Sequence, residues 1–168
     1  MTSTQVPAPT GLAADYSAAR TAFLDAAAAA GAEIKSTPHP LRGPANEELA
    51  LDVAMLGPAD AKHRVLLVSA THGVEGFCGS ALQTHWLANL ASQRPDDVCV
   101  VLLHALNPYG FAWVRRVNED NIDLNRNYLD FTKTPPDNAA YETLHPIYTC
   151  TQLRGPERER ADAQLNER

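Results

Sequence analysis

Val65-Leu66-Leu67-Val68-Ser69-Ala70-Thr71-His72-Gly73-Val74-Glu75-Gly76 decides how this chain folds. Four branched apolar residues run into small and hydroxyl side chains. A histidine then stands three positions before a glutamate, with glycines close by. The apolar run predicts a buried strand, and the residues after it predict the loop at its end. Open α/β sheets place ligand sites at such strand ends. Imidazole and carboxylate are the ligand types of a catalytic zinc held by two histidines and a glutamate.

Upstream, Met1 to Leu12 is rich in Pro, Thr and Ser and reads as a loose lead-in. Ala13 to Ala30 predicts a helix with Tyr16, Arg20, Phe23, Leu24 and Ala27 on one face, stopped by Gly31. Ser36 to Asn46 holds three prolines and a glycine, which predicts loop. Glu48 to Leu56 alternates as a strand does, and Gly57-Pro58 ends it. Downstream, Cys78 to Gln93 predicts a helix whose Leu82, Trp86 and Leu90 repeat on one face. Asp97 to Leu103 is a second unbroken apolar run and predicts another buried strand. Strand, helix and strand in that order imply a crossover and an α/β sheet. Asn107-Pro108-Tyr109-Gly110 reads as a turn, Asn118 to Asn127 as irregular, and Thr134 to Asp137 as a break. Glu157 to Arg168 is a charged tail or solvated helix. The organisation expected is a lead-in over 1–12, one α/β domain over 13–150 and a charged segment over 151–168.

The chain has 168 residues, one domain by size, and 45% of them are hydrophobic, many of these alanine. A net charge of −6 argues against a nucleic-acid partner. No apolar run is long enough to span a membrane, and no secretory signal is visible. The three cysteines, Cys78, Cys99 and Cys150, are scattered, which favours free thiols in a reducing cytoplasm. Cys78 is expected to be a buried, inert thiol. The glycines around residue 76 lack the Lys-Ser/Thr ending of a phosphate loop, and no serine sits in a nucleophile elbow.

Past the second strand lies another polar cluster, Arg115-Arg116-Val117-Asn118-Glu119-Asp120-Asn121-Ile122-Asp123-Leu124-Asn125-Arg126-Asn127. Taken in order, Thr-His-Gly-Val-Glu-Gly, Asn-Pro-Tyr-Gly and this cluster resemble the zinc carboxypeptidase (carboxypeptidase A-like) superfamily. More narrowly, they are similar to a bacterial branch known as a domain of unknown function. The likeness runs from about Tyr16 to about Tyr148. It implies a three-layer α/β/α fold with a mixed, mostly parallel sheet, of which this chain holds the N-terminal half. It also implies roles. His72 and Glu75 match two zinc ligands, and Arg116 matches the arginine that polarises the scissile carbonyl. Asn125 and Arg126 match the pair that grips a terminal carboxylate. Asp123 matches the acid that holds the ligand histidine from behind.

Each role is chemically sound. Zinc brings the pKa of bound water near neutrality. A guanidinium aimed at a developing oxyanion stabilises charge absent from the ground state. A planar guanidinium fork suits a carboxylate, and a carboxylate on the far ring nitrogen fixes a histidine's tautomer. The family's third histidine ligand and its general-base glutamate have no counterpart here. His85 reads as packing or surface, His104 as a core histidine, and His145 precedes Pro146. Tyr109, Phe111 and Trp113 read as loop packing, and Arg115 as a surface or structural arginine. Two readings therefore stand. One is a zinc hydrolase that cleaves an amide bond beside a free carboxylate in a small peptide or acyl-amino acid. The other is a zinc-free module that binds anions through Arg116 and Arg126. A homo-oligomer or a partner chain would supply what is missing.

Overall fold

The computed structural model describes residues 12–166, so most of the expected lead-in lies outside the described residues. Two units divide the chain, Met1–Tyr128 and Leu129–Arg168.

The first unit is α/β, with helices flanking a mixed four-stranded sheet ordered β1-β2-β4-β3. Helix α1 spans Tyr16–Ala29, and Asp15 opens it by accepting a bond from the Ala18 amide at 2.8 Å. It closes where Ala32 N–H reaches back to Ala27 O and Gly31 takes φ +75°, a conformation that costs glycine little. Tyr16, Phe23 and Ala27 are buried as the helical period predicts.

Strand β1 (Glu33–Arg42) occupies the segment whose prolines predict loop. That expectation is corrected: β1 is an edge strand, where a proline removes no ladder bond the sheet needs. It pairs antiparallel with β2 (Glu48–Leu56), with a register shift between Pro38 and Arg42. Ala50, opposite Pro38, exchanges two bonds with the Tyr16 hydroxyl, donating its N–H at 2.8 Å and accepting at 3.1 Å. Strand β2 also pairs antiparallel with β4 (Val98–His104), and β4 pairs parallel with β3 (His63–Val68). Parallel pairing is thus confined to β3 and β4. The hairpin that sequence reads as loop and strand makes the rest antiparallel.

The quoted apolar run forms β3, but it is not buried. It lies at the other edge of the sheet, with Leu66 61% and Val68 45% exposed. A strand's burial depends on its place in the sheet, which no local pattern encodes. Helix α2 spans Gly73–Asn89, five residues earlier at its start than the expected Cys78. Its core-facing side is also not the expected one. Gly76, Ser80, Gln83 and Leu87 are buried, whereas Leu82 is 55% exposed and Trp86 half-buried. Small and polar residues suit this face because they bond to the sheet. Gln83 donates to Leu67 O at 2.9 Å and accepts from Ser69 Oγ at 2.9 Å.

One apolar cluster joins α1 and α2 to the sheet through Phe23, Ala54, Leu87 and Leu102. A second gathers Tyr16, Leu49, Ala70, Ala105 and Phe111 beneath the loop at the ends of β3 and β4. Helix α3 (Pro108–Ala112) replaces the expected Asn-Pro-Tyr-Gly turn.

The second unit holds α4 (Ala139–Tyr148), which includes His145 and Pro146, and α5 (Pro156–Asn166), the helical form of the charged segment. The compact first unit therefore ends at Tyr128, and the expected boundary at residue 150 falls between α4 and α5. No described helix is long and apolar enough to cross a membrane.

Candidate functional site

The two parallel strands end side by side, and both chains leave the sheet through left-handed alanines, Ala70 at φ +55° and Ala105 at φ +37°. Such angles are uncommon outside glycine and mark backbone held by its surroundings. Here Leu106 N–H donates to Ser69 O and Asn107 N–H to Ala70 O, both at 3.0 Å. Asn107 is buried and caps α3 by accepting from the Gly110 amide at 2.8 Å, while its carboxamide donates to Thr71 O at 3.4 Å. The Asn-Pro pair carries the signature of a helix start, with the cap before a proline at N1, and would have revealed this residue from sequence.

His72 takes the residue before the first turn of α2. Glu75 therefore lies inside that first turn rather than in a loop, where a carboxylate is favoured by the helix dipole. Gly73 lets the helix start meet the next turn of chain. Its N–H donates to Arg115 O at 2.9 Å, and Arg115 N–H donates to Gly110 O at 2.8 Å.

Four of the six expected site residues converge. His72 Nε2 lies 2.9 Å from Asp123 Oδ1, and Arg116 Nε donates to Asp123 Oδ2 at 2.8 Å. His72 Nδ1 lies 3.9 Å from Glu75 Oε1. The His72 bond, then the Asn125 amide and the Arg116 guanidinium, hold the Asp123 carboxyl down at about 2. An ionised Asp123 accepts only, so Nε2 carries the imidazole proton and the Nδ1 lone pair is left toward Glu75. Arg116 is half-exposed.

Asn125 joins this group through its backbone, its N–H donating to Asp123 Oδ1 at 2.9 Å. Arg126 donates to Asn125 O at 2.9 Å, and among the described residues neither side chain bonds to His72, Glu75 or Asp123. Arg115 sits 5.9 Å over the Tyr109 ring, which stacks with Trp113, so these residues pack as expected. Phe111 is fully buried.

Nδ1 of His72 and the Glu75 carboxylate fit a zinc ion by donor type, and a carboxylate behind the other ring nitrogen is the usual support of a ligand histidine. Donors of one tetrahedral zinc lie roughly 3.4 Å apart, close to the separation seen. The number of donors is short, since no group of three His, Cys, Asp or Glu able to hold a metal occurs among the described residues.

Beneath the loop, His104 is fully buried, stacked on Phe23 at 4.4 Å and bonded to Ser80 Oγ at 2.9 Å. Among the described residues Nδ1 has no partner, and an unpaired lone pair costs less than an unpaired N–H, so the proton lies on Nε2. Burial pushes the imidazole down to about 4. The unfolded chain protonates this ring near 6.5, before the folded one does. The His104 contribution is therefore intact above about pH 6.5, falls as pH drops toward 4, and levels off below, where the depressed Asp123 carboxyl adds its own loss as pH falls further toward 2. The total expected loss from His104 is about 3 kcal/mol. Urea melts across that range check it, and His104→Gln should flatten the slope.

Cys78 is exposed, correcting the expectation of a buried thiol: it lies on the outer side of α2, about one turn after Glu75.

The family described as "Protein of unknown function (DUF2817)" matches residues 12–168. The chain belongs to DUF2817. No curated protein matches it. Among solved structures, this DUF2817 chain is similar to a Zn-dependent exopeptidase from Parabacteroides distasonis ATCC 8503. The two are 11% identical, over 82% of this chain and 49% of that one, with a TM-score of 0.40. A putative zn-dependent exopeptidase from Bacteroides vulgatus ATCC 8482 is 15% identical over 66% and 45%, with a TM-score of 0.39. The glutaminyl cyclase of Porphyromonas gingivalis is 12% identical over 54% and 38%, with a TM-score of 0.37. The chain spans less than half the length of each of these structures.

Proposed function

We propose that this DUF2817 chain carries part of the site of a carboxypeptidase-like zinc hydrolase that acts on an amide bond beside a free carboxylate. The observation that carries the reading is the polarity of His72: Nε2 is tied to Asp123 and Nδ1 is turned toward Glu75. His72 and Glu75 are the residues that would hold zinc. Bound there, zinc would supply an acidic water and a Lewis acid for the scissile carbonyl. Arg116, anchored through Nε, keeps its outer N–H groups for the oxygen on which charge develops. Asn125 and Arg126 would receive the terminal carboxylate, with Arg126 turning away from Asn125 O to do so. A partner chain or a second copy would bring a third donor. A reducing, cytoplasmic setting goes with this reading, since Cys78, Cys99 and Cys150 are free.

Zinc titration of the full chain tests it. Binding at one site is expected, lost in Glu75→Gln and weakened about 10- to 100-fold in Asp123→Ala. No zinc retained by the unmodified chain rejects the reading. The donor shortage favours a second reading, a zinc-free module that binds carboxylates through Arg116 and Arg126. In that case carboxylate affinity is the same with and without a chelator, whereas a large loss on chelation rejects it.

A further inference from the structure

We propose that Asn118 is a positioning residue: it clasps the loop of residues 118–122 and so sets Asp123 against His72, leaving Nδ1 to take a cation. The geometry stands by itself, and its functional weight rests on the zinc reading above.

His72 and Asp123 are distant in sequence, and their contact depends on how the chain turns just before Asp123. That turn closes on one side chain. Asn118 Oδ1 accepts the Asp120 amide at 3.1 Å and the Ile122 amide at 2.8 Å. The backbone of Asn118 completes the closure, donating to Ile122 O at 3.0 Å and accepting from Asn121 N–H at 3.1 Å. Asn121 sits at φ +63°, which asparagine tolerates better than most residues. Two outer contacts steady the loop: His39 Nε2 lies 3.2 Å from Glu119 Oε1, and Arg115 donates to Asn121 Oδ1 at 3.3 Å. Neither of them takes up the two inward amides. Among the described residues only the Asn118 carboxamide does, and the residue that follows Ile122 is Asp123.

Without that acceptor, the Asp120 and Ile122 amides turn to water and the loop opens. Asp123 Oδ1 needs to move only about 1 Å for the bond to His72 to fail. The imidazole then loses the partner that fixes its proton on Nε2, and both tautomers populate.

Nitrogen-15 NMR of the His72 ring in the full, metal-free chain reads this directly, at about pH 8 where an ordinary imidazole is neutral. Zinc affinity measured against a chelating dye gives a second readout. The unmodified chain is expected to show Nε2–H alone. Asn118→Ala is expected to show mixed tautomers and about 10-fold weaker zinc binding or more. Asn118→Asp keeps an oxygen for both amides and should restore both readouts. An Nε2–H signature unchanged in Asn118→Ala, with only the melting temperature lowered, overturns the proposal, and so does failure of Asn118→Asp to rescue. Should the alanine variant not fold, Asn118→Ser is read instead: partial loss supports the proposal and full retention overturns it. If the unmodified chain binds no zinc, the zinc reading fails and the tautomer signal still decides the role of Asn118.

Discussion

Gly73→Ala is expected to destabilise the first unit by about 3 kcal/mol and to abolish the zinc binding proposed above, although it adds only one methyl group. Alanine is the better helix former, so helix propensity alone predicts a gain here. The space decides otherwise. A Cβ at position 73 would stand 2.4 Å from Gly110 O, 2.6 Å from Arg115 N and 2.7 Å from Arg115 O. All three are backbone atoms joined to one another or to Gly73 by hydrogen bonds, so none can swing aside as a side-chain tip would. Relief requires the start of α2 to part from the 110–115 turn. That motion separates His72 from the segment leading to Arg116 and Asp123. Urea unfolding and zinc titration of the variant check both parts. Val74→Ala, at a position 63% exposed, is the control and should stay within about 0.5 kcal/mol of the parent.

The same position shows what the sequence could and could not convey. Helix α1 was readable because all its signals are local: an alanine-rich run, an aromatic on the buried face and a glycine stop. Strand β2 was readable to the residue because alternation and Gly57-Pro58 bound it. The start of α2 was not, because Gly73, Gly76 and Gly79 look like loop until their close contacts with Arg115, Phe111 and Ser69 are known. Strand β1 was hidden by Pro38 and Pro40, whose tolerance depends on lying at an edge. The buried face of α2 is not the apolar one: Leu82 and Trp86 outweigh Ser80 and Gln83 on any hydrophobic scale, yet Ser80 and Gln83 bond to His104 and the sheet. As for the site, His-x-x-Glu alone does not point to Asp123. The resemblance supplied that pairing, and the His72–Asp123 contact is tertiary. The clasp by Asn118 left a trace in the Asn-Glu-Asp-Asn run, which is turn chemistry, but nothing local says which carboxylate it delivers.

The other large effect lies below the site, where Asp52 is completely buried. Arg20 from α1 grips it with two bonds, Nε to Oδ2 at 2.7 Å and Nη2 to Oδ1 at 3.1 Å, and Ser36 Oγ adds a third at 2.5 Å. A charge removed from water this fully is tolerable only while its partner stays. Arg20→Met keeps most of the side-chain length but strands the carboxylate, and should cost about 3–5 kcal/mol in a urea melt. Arg20→Met with Asp52→Leu removes both charges and should recover more than half of that loss, as buried ion pairs replaced by apolar residues often do. A double variant no better than the single one would show that the bonds themselves, rather than the stranded charge, carry the stability. His104 gives an independent reading. Asp52 is its register partner across the strands, and the Asp52 charge raises the imidazole's affinity for a proton while Arg20 lowers it. Burial is the largest cause of the depression, so Arg20→Met should leave the His104 imidazole well below its ordinary value. The acid-side fall in stability attributed to His104 should then persist, even as the protein is weaker at every pH.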